Sequence, residues 1–208
     1  MSKDNLFSKE DIMETPEDVF EKDKSYRKKV NGCRKGKTFE RSICDDLTKR
    51  FGGVFRRVPT SGAMVGGINR FKYAEINEAA KMTLAGDIIT PTEFPLVIEC
   101  KNYYDSPKLH NLLSIGDKEL DGWISQAKGE SEFVKKDWVI IFKITALRGK
   151  TFVTLDKKRF LSLNEIFTES HIRYKSNIIM DYDLFFEKYI GVYFESYKKD
   201  KATTPIVV

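Results

Sequence analysis

Apolar and polar positions along the chain fall into a few clear periods. Phe39, Ile43 and Leu47 recur at every fourth position, with Cys44 and Phe51 flanking the stripe. That spacing predicts an amphipathic helix through KTFERSICDDLTKRF, ended by Gly52-Gly53. VFRRV (54–58) reads as a strand, and the glycine-rich PTSGAMVGGINRF after it as a loop. AEINEAAKMTLA (74–85) has helical composition. GDIITPTEFPLVIECK then reads as a hairpin, with strands at Ile88-Ile89 and Leu96–Ile98 and a turn near Glu93. ELDGWISQAKGESEFVKK (about 119–136) predicts a second long helix. WVIIFKI (138–144) is the most strand-like segment, and TFVTL (151–155) should pair with it across a turn at Arg148-Gly149. The last fifty or so residues mix short helices with one strand, SNIIM. The order helix, strand, hairpin, helix, strand predicts an α/β sandwich with a mixed sheet.

Composition refines this picture. The chain has 208 residues, 41% of them hydrophobic and 12% aromatic, enough for one domain with extensions. Residues 1–35 are charged and poor in apolar side chains, and read as a flexible or partly helical extension. The expected division is 1–35 extension, 36–155 core, and 156–208 C-terminal extension packed on the core. Net charge is +5, from 36 Lys+Arg against 31 Asp+Glu, which fits a nucleic-acid partner without requiring one. Three cysteines, Cys33, Cys44 and Cys100, match no zinc spacing and suggest a reducing, cytoplasmic compartment. No apolar run approaches a membrane span, and the acidic N-terminus lacks the apolar core of a signal peptide.

The candidate chemistry lies in the hairpin. In a strand, Glu99 and Lys101 share a face while Cys100 points the other way. Folding about Glu93 brings Asp87 opposite Glu99, and cross-strand neighbours lie about 5 Å apart. Two carboxylates that close repel; a divalent cation such as Mg²⁺ removes that cost and takes oxygen ligands. Lys101 beside them would stabilise charge on a phosphate. An ordinary surface salt bridge between Glu99 and Lys101 accounts for the same pattern equally well.

The wider set of motifs decides between these readings. The spacing G-D-x(11)-E-x-K resembles the core of the PD-(D/E)XK nuclease superfamily, with Gly86 where that pattern has proline. Glu40 and Arg41 in KTFER, Ser61 in RRVPTSGA, Asp87, Glu99, Lys101 and Gln126 in WISQA together resemble the archaeal-type Holliday junction resolvases, which viruses also carry. The resemblance covers about residues 36–145. It implies a restriction-endonuclease-like core in α-β-β-β-α-β order. It also implies Asp87 and Glu99 as metal ligands, Glu40 as a further acidic ligand, and Lys101 as the catalytic lysine. Ser61 would contact a phosphate, and Gln126 the attacking water or the DNA backbone. The implied cofactor is Mg²⁺, with Mn²⁺ as a substitute. The implied activity is paired nicking of branched DNA in recombination and repair, in the cytoplasm or, for a viral protein, the host's. A four-way junction has near two-fold symmetry, so a homodimer follows; apolar residues within 138–155 or the C-terminal segment are candidates for its interface. Two departures stand out: an insertion at 64–84, and the C-terminal residues beyond the family's core.

Arg41, Arg56, Arg57, Lys49 and Arg70 would meet DNA phosphates, adding salt-dependent affinity without sequence preference; a mixed-charge surface is the plainer alternative. GCRKGKT has three residues between its glycines where a phosphate-cradling loop needs four, which excludes a nucleotide cofactor. His110 and His171 have no partner at ligand spacing. Tyr103-Tyr104 could stack on exposed bases, although tyrosines beside a strand end are more often buried or half-buried. Two rival readings share the fold: a PD-(D/E)XK nuclease acting on other DNA, and a DNA-binding protein without cleavage.

Overall fold

The computed structural model describes residues 32–59, 84–158, 170–191 and 193–195. The chain forms two compact units, Met1–Arg34 and Lys35–Val208, and the second carries the sheet and the site. Ser61, Arg70, all but the last two residues of the helix expected over 74–85 and all but the last residue of the 64–84 insertion lie outside the described residues, as does most of the N-terminal extension.

Helix α1 spans Gly32–Phe51 and buries Phe39, Ile43, Cys44 and Leu47, the stripe expected from the sequence. It starts several residues before the expected position, so Gly36 does not interrupt it. It stops where Gly52 turns to φ +67, with the Gly52 amide donating to the Thr48 carbonyl at 3.0 Å. Strand β1 (Arg56–Arg57) pairs antiparallel with β2 (Ile88–Ile89). The expected hairpin between 88–89 and 96–98 is therefore corrected: β2 ladders with β1, not with the following strand. The physical reason lies in the connection TPTEFP, where Pro91 and Pro95 lack the amide donors a ladder needs and the chain instead closes a turn from Phe94 N to Pro91 O.

The main sheet has five strands in the order β3-β4-β5-β7-β6. β3 (Leu96–Tyr103) and β4 (Asp137–Ile144) run parallel, joined through the short helix α2 (Leu109–Leu112) and the long helix α3 (Lys118–Val134). β5 (Lys150–Asp156) returns antiparallel to β4 through a turn in which Arg148 and Gly149 both have positive φ. β6 (Ile172–Tyr174) and β7 (Asn177–Asp181) complete the sheet, β7 pairing with β5; β6 is a strand the sequence did not announce. α4 (Tyr182–Leu184) leads into a π-helical turn over Phe185–Tyr189. The result is α/β, a mixed sheet flanked by helices, consistent with a restriction-endonuclease-like core.

Alternation along β3 and β4 sorts their side chains by face, with one apolar core on each side of the sheet. Leu96, Ile98 and Cys100 pack with Phe39, Ile43, Leu47 of α1 and with Phe185, Phe186 and Tyr193. On the opposite face Ile140, Phe142 and Ile144 of β4 meet Leu120, Trp123, Ile124 and Ala127 of α3. β4 is an interior strand with both faces covered, which explains its unbroken apolar run. The apolar residues of 138–144, part of the 138–155 range considered for an interface, are taken up by the chain's own core. Among the described residues, no helix is long and apolar enough to cross a membrane.

Candidate active site

β3 is an edge strand, and the segment Gly86-Asp87 closes its outer edge. The Asp87 amide donates to the Ile98 carbonyl at 2.8 Å, and Asp87 Oδ2 accepts from the Cys100 amide at 2.9 Å. The Asp87 carbonyl in turn accepts from the Val58 amide at 2.9 Å. Asp87 is thus sewn between the end of β1 and β3, beside Glu99, as the sequence suggested, but by edge contacts and not by a hairpin ladder.

Gly86 sets this geometry. Its φ is +78, and a Cβ there would lie 2.6 Å from the Ile98 carbonyl oxygen and 2.9 Å from Val97 Cγ1. Proline, fixed near φ −65°, cannot occupy this turn, so Gly86 is not an interchangeable replacement for the superfamily's proline. Gly86→Ala is expected to destabilise the protein by about 2–3 kcal/mol or more, from positive φ and overpacking together. Urea denaturation would check it.

Glu99 is 1% exposed. Its Oε2 accepts from Lys101 Nζ at 2.8 Å and from Gln126 Nε2 at 3.1 Å. Lys101 also donates to Gln126 Oε1 at 3.2 Å. Gln126 comes from α3, which faces the Glu99–Lys101 side of β3. Sequence reasoning missed Glu130, one turn further along α3. Its Oε1 accepts from Gln126 Nε2 at 3.1 Å and its Oε2 from the Gly86 amide at 2.6 Å. The i,i+4 spacing from Gln126 is the signal that could have found it. Glu130 thereby connects the turn before Asp87 to the side chains around Lys101.

Glu40 reaches the same edge from α1, on the other side of β3. Its carboxylate accepts from Arg57 Nε of β1. Arg57, expected on a phosphate, is therefore part of the site's own ion pairing. Arg41, Lys49 and Arg56 are exposed on α1 and β1. Tyr103 and Tyr104 are 41% and 71% exposed, so Tyr104 departs from the buried or half-buried state expected of the pair.

The electrostatics follow from this packing. Burial, then the Asp87 charge, pushes the Glu99 carboxyl well above the ordinary range, and Lys101 pulls back only in part. Burial opposes the charge on Lys101, but the Glu99 carboxylate and hydrogen bond together with the Asp87 charge outweigh it and hold the ammonium pKa above its usual value. Burial followed by Asp87 raises Glu40, against the pull of Arg57. Burial lifts Cys44 to about 11, and burial followed by Asp87 pushes Cys100 well up, so both buried thiols stay protonated and unreactive.

Four carboxylates (Glu40, Asp87, Glu99, Glu130) face two cations (Arg57, Lys101) in this network. With every carboxyl ionised, the formal excess of two negative charges, on oxygen donors, suits one divalent cation. Among the described residues no three His, Cys, Asp or Glu side chains form a ready-made metal cage. Mg²⁺ requires none, because it commonly takes one or two carboxylates and keeps several waters. The residues fit that ion.

No curated protein and no solved structure matches the chain significantly. A family model described as "Phage putative PDDEXK endonuclease" matches residues 31–203, which include α1, the Asp87 edge, the Glu99-x-Lys101 strand and α3. That match covers most of the 208 residues, and the chain belongs to this family of PD-(D/E)XK nucleases.

Proposed function

We propose that this nuclease is a Mg²⁺-dependent, structure-selective DNA endonuclease that resolves four-way junctions as a homodimer. The observation that carries the reading is the convergence of Asp87, Glu99, Lys101 and Gln126 on one strand edge, with Glu40 beside it. The ordered motifs from Glu40 to Gln126 support the junction-resolving kind. In this reading Asp87 and Glu99 hold the ion, with Glu40 as a further acidic ligand. Bound there, Mg²⁺ would offset negative charge on a phosphoryl oxygen and lower the pKa of a water.

The chain's own groups divide the remaining work. Lys101, held by Glu99 and Gln126, keeps an ammonium aimed at the developing charge on the phosphate. Gln126 orients Lys101 and Glu99 together. Arg41, Arg56, Lys49 and Arg70 supply phosphate contacts that fix the DNA without reading its sequence, and Ser61 donates to a phosphate near the cut. Arg57 joins them only when it leaves Glu40.

A cleavage assay on a synthetic four-way junction, beside a linear duplex of the same arms, tests this. In Mg²⁺ the expected result is paired symmetric nicks in the junction, abolished by EDTA. Equal cutting of the duplex would keep the nuclease and end the junction assignment. Junction binding with no cutting would point to a binding protein on this fold.

A further inference from the structure

We infer that Tyr103 is a stacking platform for an unpaired nucleobase next to the scissile phosphate; the inference rests on the nuclease reading above. Glu99, Lys101 and Tyr103 are alternate residues of one strand, so they stand in a row on the α3 side of β3. Contacts confirm the shared side: Lys101 meets Gln126, and the Tyr103 ring lies against Trp123 with centroids 5.1 Å apart. The row reads carboxylate, ammonium, aromatic ring. Lys101 and Tyr103 are separated by about 6.6 Å of strand, a distance that the sugar of one nucleotide bridges between its phosphate and a neighbouring base.

The ring is presented, not buried. Trp123 is 6% exposed and backs Tyr103, which remains 41% exposed. The end of β3 is also fixed in place. The Ala146 amide donates to the Tyr104 carbonyl at 2.7 Å, and Asn102 contacts Thr145 Oγ1 at 3.5 Å. An aromatic group held this way loses little freedom on binding, which favours it as a contact surface. In continuous duplex both faces of every base are already stacked on neighbours. A base with a free face, at a branch point, a gap or a duplex end, can stack on Tyr103. The platform would therefore couple the chemistry at Lys101 to DNA shape without reading sequence, since every base has a π-face.

The test uses full-length protein carrying Asp87→Asn, expected to bind without cutting, and branched DNA with 2-aminopurine at successive positions around the branch point. One position should show strong quenching on binding. Tyr103→Leu should remove that quenching and weaken branched-DNA binding about tenfold, on the scale of one base–aromatic stack, while Tyr103→Phe retains both. In the cleaving protein, Tyr103→Leu should raise KM for branched DNA, with unchanged thermal melting showing the fold intact. Unchanged quenching and KM in a Tyr103→Leu protein that still cuts would overturn the platform and leave the nuclease reading standing. A Tyr103→Leu protein that sediments at half the wild-type mass, with quenching unmoved, would assign the ring to a contact between copies and overturn it too. Wild-type protein that never cuts DNA would end the nuclease reading, while the 2-aminopurine signal separately decides the platform.

Discussion

Asp87→Asn is expected to lower DNA cleavage by about 10³-fold or more, the scale of losing several kcal/mol of charge stabilisation at the phosphoryl oxygen. Asparagine is the informative replacement because Asp87 has two jobs. Its Oδ2 accepts from the Cys100 amide at 2.9 Å, closing the edge of β3. It also supplies one of the charges proposed to hold Mg²⁺. Asparagine keeps an oxygen acceptor for Cys100 and removes only the charge. Alanine removes both, and leaves a buried amide without an acceptor at a penalty of about 1–3 kcal/mol. Single-turnover cleavage and urea denaturation should therefore separate the two variants: equal loss of cleavage, but a clear loss of stability only with alanine. An Asp87→Asn protein that still cut at the wild-type rate would remove Asp87 from the chemistry.

How far this site could be read from the sequence depended on the range of each interaction. The stripe Phe39–Ile43–Leu47 fixes the buried face of α1, and the i,i+2 relation of Glu99 and Lys101 fixes their common face; both are local periodicities. The unbroken apolar run of β4 announces an interior strand for the same reason. Asp87 was placed beside Glu99 through a hairpin that does not form. The proximity survives because a positive-φ glycine turns the chain onto the strand edge, a backbone state that no pattern of apolar residues reveals. Glu130 was missed because its partner is the Gly86 amide, 44 positions away in sequence. Arg57 was assigned to DNA because its pairing with Glu40 depends on β1 approaching α1, which is a tertiary event. β6 is three residues long with only one side chain fully buried, too short for alternation to register.

Glu99→Gln should abolish cleavage yet stabilise the metal-free protein at neutral and alkaline pH. The Glu99 carboxyl has an ordinary value of 4.5 and is raised well above it in the fold, first by burial and then by Asp87. Between the two values the folded state keeps a proton that the unfolded chain has released, so stability falls as pH rises through that window. Above the folded value the penalty is complete; below 4.5 both states are protonated and it vanishes. Lys101, at 2.8 Å, offsets only part of it. Glutamine keeps the oxygen that Lys101 and Gln126 contact while removing the charge, so most of the hydrogen bonding survives. In EDTA the variant should melt several degrees above the wild type at pH 8, and with it near pH 4. The direction is that of a site which gives up stability to keep charge buried where the reaction needs it. Added Mg²⁺ should then stabilise the wild type and not the variant, because only the wild type carries the Glu99 charge that would hold the ion. A variant that melts below the wild type at pH 8 in EDTA would mean that the Lys101 ion pair outweighs the burial of Glu99.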